Sequence, residues 1–232
     1  MGNQLKKVIE KDKPEFSRRD FLKFAGTVVV GISGILPNFL LIGEGIAAIP
    51  VSQGYLLVDN KKCQGCMTCM LACSLVHEGK ESISLSRIQI IQNPFERFPF
   101  DLTIAQCRQC VRPACVEACP TGALHARAKY GNVRIVEREK CIGCQSCLEA
   151  CPYKPSRVMW DFAQKYALKC DLCAEARFWN EKHGPEGKQA CVEVCPVMAI
   201  KFTKVIPVQK GDTGYKVNLR EGSWKKLGYP ID

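Results

Sequence analysis

Sixteen cysteines carry whatever chemistry this chain performs, and all of them lie between residues 63 and 195. They fall into four groups of four with none left over. The second group is Cys107, Cys110, Cys115 and Cys119, with Pro120 directly behind it. Twenty residues further on come Cys141, Cys144, Cys147 and Cys151, followed by Pro152. Upstream, C-Q-G-C-M-T-C-M-L-A-C supplies Cys63, Cys66, Cys69 and Cys73. Downstream, Cys170 and Cys173 are joined after seventeen residues by Cys191 and Cys195, with Pro196 behind them. Thiols can pair as disulfides, hold zinc, or ligate an iron–sulfur cage. Spacing this tight would force strained disulfides between neighbours. Zinc ribbons use two C-x-x-C pairs per metal and leave the third and fourth cysteine of each run without a role. A cubane needs several sulfurs converging from one loop. Four groups of four therefore predict four [4Fe–4S] clusters.

The central pair of runs resembles a bacterial ferredoxin. There, three close cysteines, a fourth after three more residues and a proline recur twice, and each fourth cysteine ligates the other cluster. The spacing supports that exchange for the two central runs: Cys107, Cys110 and Cys115 with Cys151, and Cys141, Cys144 and Cys147 with Cys119. With every thiol committed, none remains as a free nucleophile, and His77, His125 and His183 are expected to be structural or solvent-facing. The chain shows no nucleophile–base set, no glycine-rich phosphate loop, and no pterin or flavin signature. It reads as non-catalytic.

The elements that must position these loops are short. Tyr55 to Asp59 reads as a strand and Thr68 to Val76 as a helix carrying Cys69 and Cys73. Ser86 to Ile91 reads as a strand. Asn93 to Phe100, with two prolines and three phenylalanines, should be neither helix nor strand, its aromatics covering a cluster from water or, as the alternative, forming a partner surface. Ala123 to Arg127 and Asn132 to Val136 predict a hairpin turning at Lys129-Tyr130-Gly131. Helices of under three turns should follow Cys115 and Cys147, and prolines 120, 152 and 196 should end each run. Residues 153 to 169 read as a linker with Trp160 and Phe162 in the core. The stretch between Cys173 and Cys191 reads as an exposed loop, and Ala199 to Val205 as a strand. Residues 207–232 read as an ordered extension hugging the surface.

Charge bears on partners. The chain has 33 Lys and Arg against 23 Asp and Glu, a net +10. An oxidised cubane with four thiolates carries about −2, and four carry roughly −8. Residues 1–48 hold seven basic and five acidic side chains, so the remainder would be near neutral once loaded. The excess reads as compensation for cluster charge, with Arg108, Arg112, Lys140 and Lys169 beside ligands, rather than as a nucleic-acid surface. In residues 1–48, S-R-R-D-F-L-K (Ser17 to Lys23) precedes an uncharged stretch, Ala25 to Ile42, broken by three glycines and Pro37. That pattern resembles a twin-arginine export signal, or an N-terminal anchor if it is not cleaved. Export of a folded, loaded protein to the periplasmic side would reconcile oxygen-sensitive clusters with secretion.

Over residues 55 to 206 the four groups resemble the electron-transfer subunits of the dimethyl sulfoxide reductase family. C-M-L-A-C-S-L-V-H-E-G with L-S-R-I-Q-I is also similar to iron–sulfur subunits that accompany tungsten aldehyde oxidoreductase-type enzymes. The resemblance implies an α+β fold of two nested ferredoxin-like units within residues 49–206: an outer unit, 55–100 with 165–206, around a central unit, 101–155. It implies the outer exchange, Cys63, Cys66 and Cys69 with Cys195, and Cys170, Cys173 and Cys191 with Cys73. It also implies a relay of single electrons between a molybdenum- or tungsten-pterin catalytic subunit and a quinone-linked membrane subunit or soluble carrier. The cluster of the first group would lie nearest the catalytic subunit and that of the third group farthest from it. A free polyferredoxin without a fixed partner is the alternative.

Overall fold

The computed structural model describes residues 49–226 and 228; the twin-arginine stretch lies outside the described residues. Among the described residues the strands form four two-stranded antiparallel ladders. Strand β1 (Tyr55–Val58) pairs with β8 (Ile200–Thr203), so the first and last strands close on each other and everything between is nested inside them. Within that frame β2 (Gln89–Gln92) pairs with β3 (Leu102–Ala105), β4 (Leu124–Arg127) with β5 (Val133–Val136), and β6 (Val158–Asp161) with β7 (Tyr166–Lys169). The helices are α1 (Thr68–Glu78), α2 (Ala114–Glu117), α3 (Ser146–Glu149), α4 (Ala190–Glu193) and α5 (Gly222–Lys226). No helix among the described residues is long and apolar enough to cross a membrane.

The helices differ in length for a reason visible in the sequence. In α2, α3 and α4 the third cysteine of each group occupies the second helical position, and the fourth lies two residues past the helix end, immediately before a proline. Proline cannot continue the hydrogen-bond ladder, so each helix stops after one turn. Cys73 is followed by Ser74 instead, and α1 runs on to Glu78, where Gly79 ends it in the left-handed conformation (φ +66°). The buried face of α1 holds Cys69, Met70, Cys73, Ser74 and His77, the spacing of one helical stripe.

The main core joins Leu56, Val58, Met70, Ile88, Ile104, Val133, Ile135 and Ile200 with thiols of the first and fourth groups. A second, smaller cluster, Leu124, Val158 and Ala167 with Cys147, lies under the central loops.

Several expectations need correction. The strand expected at Ser86 to Ile91 begins at Gln89, because Ser86 folds its hydroxyl back onto the Ile88 carbonyl. Strand β3 was not anticipated. The one-turn helices contain Cys115 and Cys147 rather than follow them. Residues 153–169 are no mere linker, since they carry the β6–β7 hairpin. Phe162 sits at its exposed turn, 84% accessible, where Asp161 Oδ1 accepts from Ala163 N and Gln164 N (2.9 Å each). Trp160 is half-buried, and Tyr166, Ala167 and Leu168 supply the buried side chains instead. Asn93 to Phe100 is indeed neither helix nor strand, but Phe95 and Phe100 are largely exposed to solvent (94% and 65%), Phe100 lying beneath Lys61. Phe98, half-exposed, lines a cleft with Cys63.

Candidate metal centres

Each C-x-x-C loop turns on a left-handed residue directly before its second cysteine. These are Gly65 (φ +72°), Gln109 (+46°), Gly143 (+73°) and Leu172 (+55°). Two of the four are glycine, which adopts this conformation freely; Gln and Leu adopt it at a cost. The turn swings the backbone N–H of that residue toward the first thiol of the loop. Gln109 N donates to Cys107 Sγ at 3.3 Å, and Gly65 and Leu172 N–H groups play the same part for Cys63 and Cys170.

The fourth cysteine of every group also accepts a backbone N–H, from the chain as it returns. The donors are Arg87 to Cys73 (3.3 Å), Leu124 to Cys119 (3.4 Å), Arg157 to Cys151 (3.2 Å) and Ala199 to Cys195 (3.2 Å). Hydroxyls serve the two exposed thiols: Thr68 Oγ1 donates to Cys66 (3.3 Å) and Ser146 Oγ to Cys144 (3.5 Å), and these bonds lower both pKa values. Donors aimed at sulfur stabilise thiolate charge and tune the potential of any cluster those thiolates hold.

The thiols crowd one another in sets. Burial pushes Cys69 up to about 12, and Cys63, Cys195 and Cys66 add to the rise. Burial raises Cys110 to about 11, with Cys107, Cys115 and Cys151 acting in the same direction. Cys147 is raised to about 12 by burial and then by Cys115, Cys119 and Cys141. Burial, Cys173, Cys170 and Cys73 raise Cys191. Charge is also felt between sets: Cys73 acts on Cys69, Cys107 on Cys170, and Cys115 on Cys147.

None of the sixteen cysteines is in a disulfide. Among the described residues no three His, Cys, Asp or Glu side chains converge as a single ion would require. The donor set suits a cage of several irons, whose positive charge offsets the mutual repulsion of four thiolates. A buried lysine gives the clearest sign of fit. Lys169 is 5% exposed, and the groups favouring its charge are thiols, those of Cys107, Cys115 and Cys170. A buried ammonium needs a counter-charge, which thiolates held as metal ligands would supply.

Of the cations expected to compensate the clusters, Arg108 and Lys169 are buried, whereas Arg112 and Lys140 are exposed, Lys140 pairing with Glu137. Two more were missed. Arg134 is fully buried and donates to the Cys110 carbonyl (2.9 Å), and Arg157 is buried behind Cys151. Nothing near them in the sequence separates them from surface arginines; strand β5 carries Arg134 inward against an inward-facing loop. His77 is structural. It donates Nδ1–H to the Cys73 carbonyl (2.8 Å) and pairs through Nε2 with Asp171 (2.9 Å), and it is raised to about 9 because Asp171 outweighs the effect of burial. His125 and His183 are half-buried.

Residues 99–205 match the family described as a 4Fe–4S dicluster domain, and residues 60–76 match a 4Fe–4S binding domain. Protein NrfC of Escherichia coli is 34% identical over 191 residues, spanning 81% of this chain and 79% of that protein. The chain belongs to this family of ferredoxin-type iron–sulfur proteins. Among other members similar to this ferredoxin-type chain is the thiosulfate reductase electron transfer subunit PhsB of Salmonella typhi, 34% identical over 66% of the chain and 77% of that subunit. Another is the polyferredoxin-like subunit of an aliphatic sulfonate oxidoreductase from Pyrococcus furiosus, 38% identical over 61% of the chain and 70% of the relative. The relatives named for a role include an electron transport protein, an electron transfer subunit and a polyferredoxin-like subunit.

Proposed function

We propose that this chain is a four-cluster wire. It relays single electrons between a molybdenum- or tungsten-pterin catalytic subunit and a quinone-linked membrane subunit or soluble carrier. The observation that supports the reading is sixteen unpaired thiols in four runs, the fourth of each run accepting a backbone N–H and the thiols of different runs acting on one another's charge. In this reading the clusters are held by Cys63, Cys66, Cys69 and Cys195; by Cys170, Cys173, Cys191 and Cys73; by Cys107, Cys110, Cys115 and Cys151; and by Cys141, Cys144, Cys147 and Cys119. When bound, each cluster takes up and gives back one electron. The protein's part is to hold the four in sequence and to set their potentials through charge, hydrogen bonds and exposure.

A fixed partner is favoured over a free polyferredoxin because even the relative named polyferredoxin-like is a subunit of an oxidoreductase. The nested units, 55–100 with 165–206 around 101–155, and export by the twin-arginine route to the periplasmic side belong to the same proposal. Anaerobic purification should give about sixteen iron and sixteen sulfide per chain, four of each per cluster. Tightly bound zinc without sulfide absorbance would end the cluster reading. Isolation without a large pterin subunit would favour the free carrier.

A further inference from the structure

Lys169 immediately precedes Cys170, and by sequence its charge belongs to the cluster that Cys170 helps to hold. Its side chain goes elsewhere. From the end of β7, Nζ donates a short hydrogen bond to Cys107 Sγ, a residue 62 positions away in the second group. The loop containing Cys107 answers in kind: Gln109 Nε2 donates to the Cys170 carbonyl at 2.7 Å, while Gln109 Oε1 accepts from Arg134 N at 2.9 Å. Gln109 is fully buried and held in the left-handed region, so the crossing is rigid on both sides.

We propose that Lys169 acts mainly on the potential of the cluster held by Cys107, Cys110, Cys115 and Cys151, more than on that of the cluster ligated by its neighbour Cys170. The proposal rests on the ligand sets given above. One-electron reduction makes a cluster more negative by one charge, the electron arriving from the partner subunit or from an added reductant. A buried ammonium on a ligand sulfur stabilises the reduced form more than the oxidised form, and so raises the potential. Burial strengthens the effect, because no water screens the pair. Arg134 and Arg157, both buried beside the same set, act in the same sense. Thr68 and Ser146, the hydroxyl donors to thiols, are neutral and serve the exposed end sets, and His77 lies farther from Cys73 Sγ, at 3.9 Å, than Lys169 from Cys107.

The test uses the full chain, purified anaerobically with its clusters, and redox titration followed by electron paramagnetic resonance. Lys169→Met should keep full iron and sulfide. One of the four clusters should become harder to reduce by about tenfold in its one-electron equilibrium, about 59 mV. That cluster should be the one altered by Cys110→Ser and by Cys151→Ser, with the cluster altered by Cys173→Ser shifting less. Unchanged potentials at full iron would overturn the proposal, as would a shift confined to the cluster altered by Cys173→Ser. If Cys110→Ser and Cys151→Ser alter different clusters, the ligand sets themselves fail, a result distinct from failure of the lysine's role. Should Lys169→Met not assemble, Lys169→Gln keeps an N–H donor without the charge. A lowered potential there supports the proposal, and an unchanged one overturns it.

Discussion

Asp171 shows how much one buried side chain organises around these loops. It accepts from His77 Nε2 (2.9 Å), Arg87 Nη1 (3.0 Å), Cys173 N (3.0 Å) and Glu175 N (3.1 Å). Arg87 in turn reaches Glu78 (3.1 Å), which also binds Arg138 (2.7 Å), so α1, the approach to β2 and the fourth cysteine group share one charge network. His77 and Arg87 outweigh the effect of burial and hold the Asp171 carboxyl far below the ordinary carboxylate range. Removing one member of a buried pair strands the other, at a cost of about 3–5 kcal/mol. Asp171→Ala should therefore lose cluster absorbance at markedly lower urea under anaerobic conditions; an unchanged midpoint would show that the network is dispensable. Glu78 contributes to the acid-side pH dependence of the network. Burial alone would raise its carboxyl, but Arg138 and Arg87 lower it, so its contribution is present above the unfolded-state carboxylate pKa and fades as pH falls through the depressed one. Glu78→Gln should flatten that acid limb of stability in an anaerobic urea series, and an identical limb would refute the assignment.

At the scale of elements, the four C-x-x-C turns make a direct comparison possible. A Cβ at Gly143 would lie 2.9 Å from the Lys165 carbonyl oxygen, whereas one at Gly122, also left-handed (φ +65°), would meet nothing within 4 Å. Gly122→Ala should cost only the conformational penalty, about 1–2 kcal/mol, and retain full iron. Gly143→Ala adds a backbone clash beside Cys144 and should lose the cluster there, about four iron per chain. Equal iron in the two variants would show that the loop tolerates the shift. The same turns indicate what could be read beforehand. Cysteine spacing, the prolines behind three of the runs and the Lys129-Tyr130-Gly131 turn made the loops and the β4–β5 hairpin legible, because each is a local rule. Strand β3 escaped because Leu102–Ala105 is too short to alternate clearly. The β6–β7 hairpin was lost beneath Trp160 and Phe162, although Asp161 before an exposed turn was a usable signal. Glycine at the same place in two of the loops also marked the left-handed position that Gln109 and Leu172 occupy without advertising it. The reach of Lys169 to Cys107 was illegible, since neighbours in sequence point to opposite sides of a strand.

For the whole molecule, the proposed wire has two exposed ends, at Cys66 and at Cys144. If the first-group end faces the catalytic subunit, Cys66→Ser in the assembled complex should abolish cluster reduction by substrate. Cys144→Ser should leave the other three clusters reducible while blocking the external acceptor. The reverse pattern would turn the wire around. Replacing Arg18 and Arg19 together by lysine should leave a loaded protein in the cytosol, and arrival in the periplasm would refute the export reading. The closing of β1 on β8 has a further consequence, for biosynthesis. Tyr55 pairs with Thr203, and behind them Val58 N–H bonds to the Tyr215 carbonyl (2.9 Å), whose residue also reaches the Arg108 carbonyl through its hydroxyl (2.6 Å). A ribosome releases those partners after the central cysteine runs. The β4–β5 hairpin and the thiols from Cys107 to Cys151 emerge while β1 still waits for its mate, so the inner pair of metal sites can fill during translation. The outer pair, each taking a cysteine from both halves of the chain in the proposed ligand sets, can close only after Cys195 has emerged.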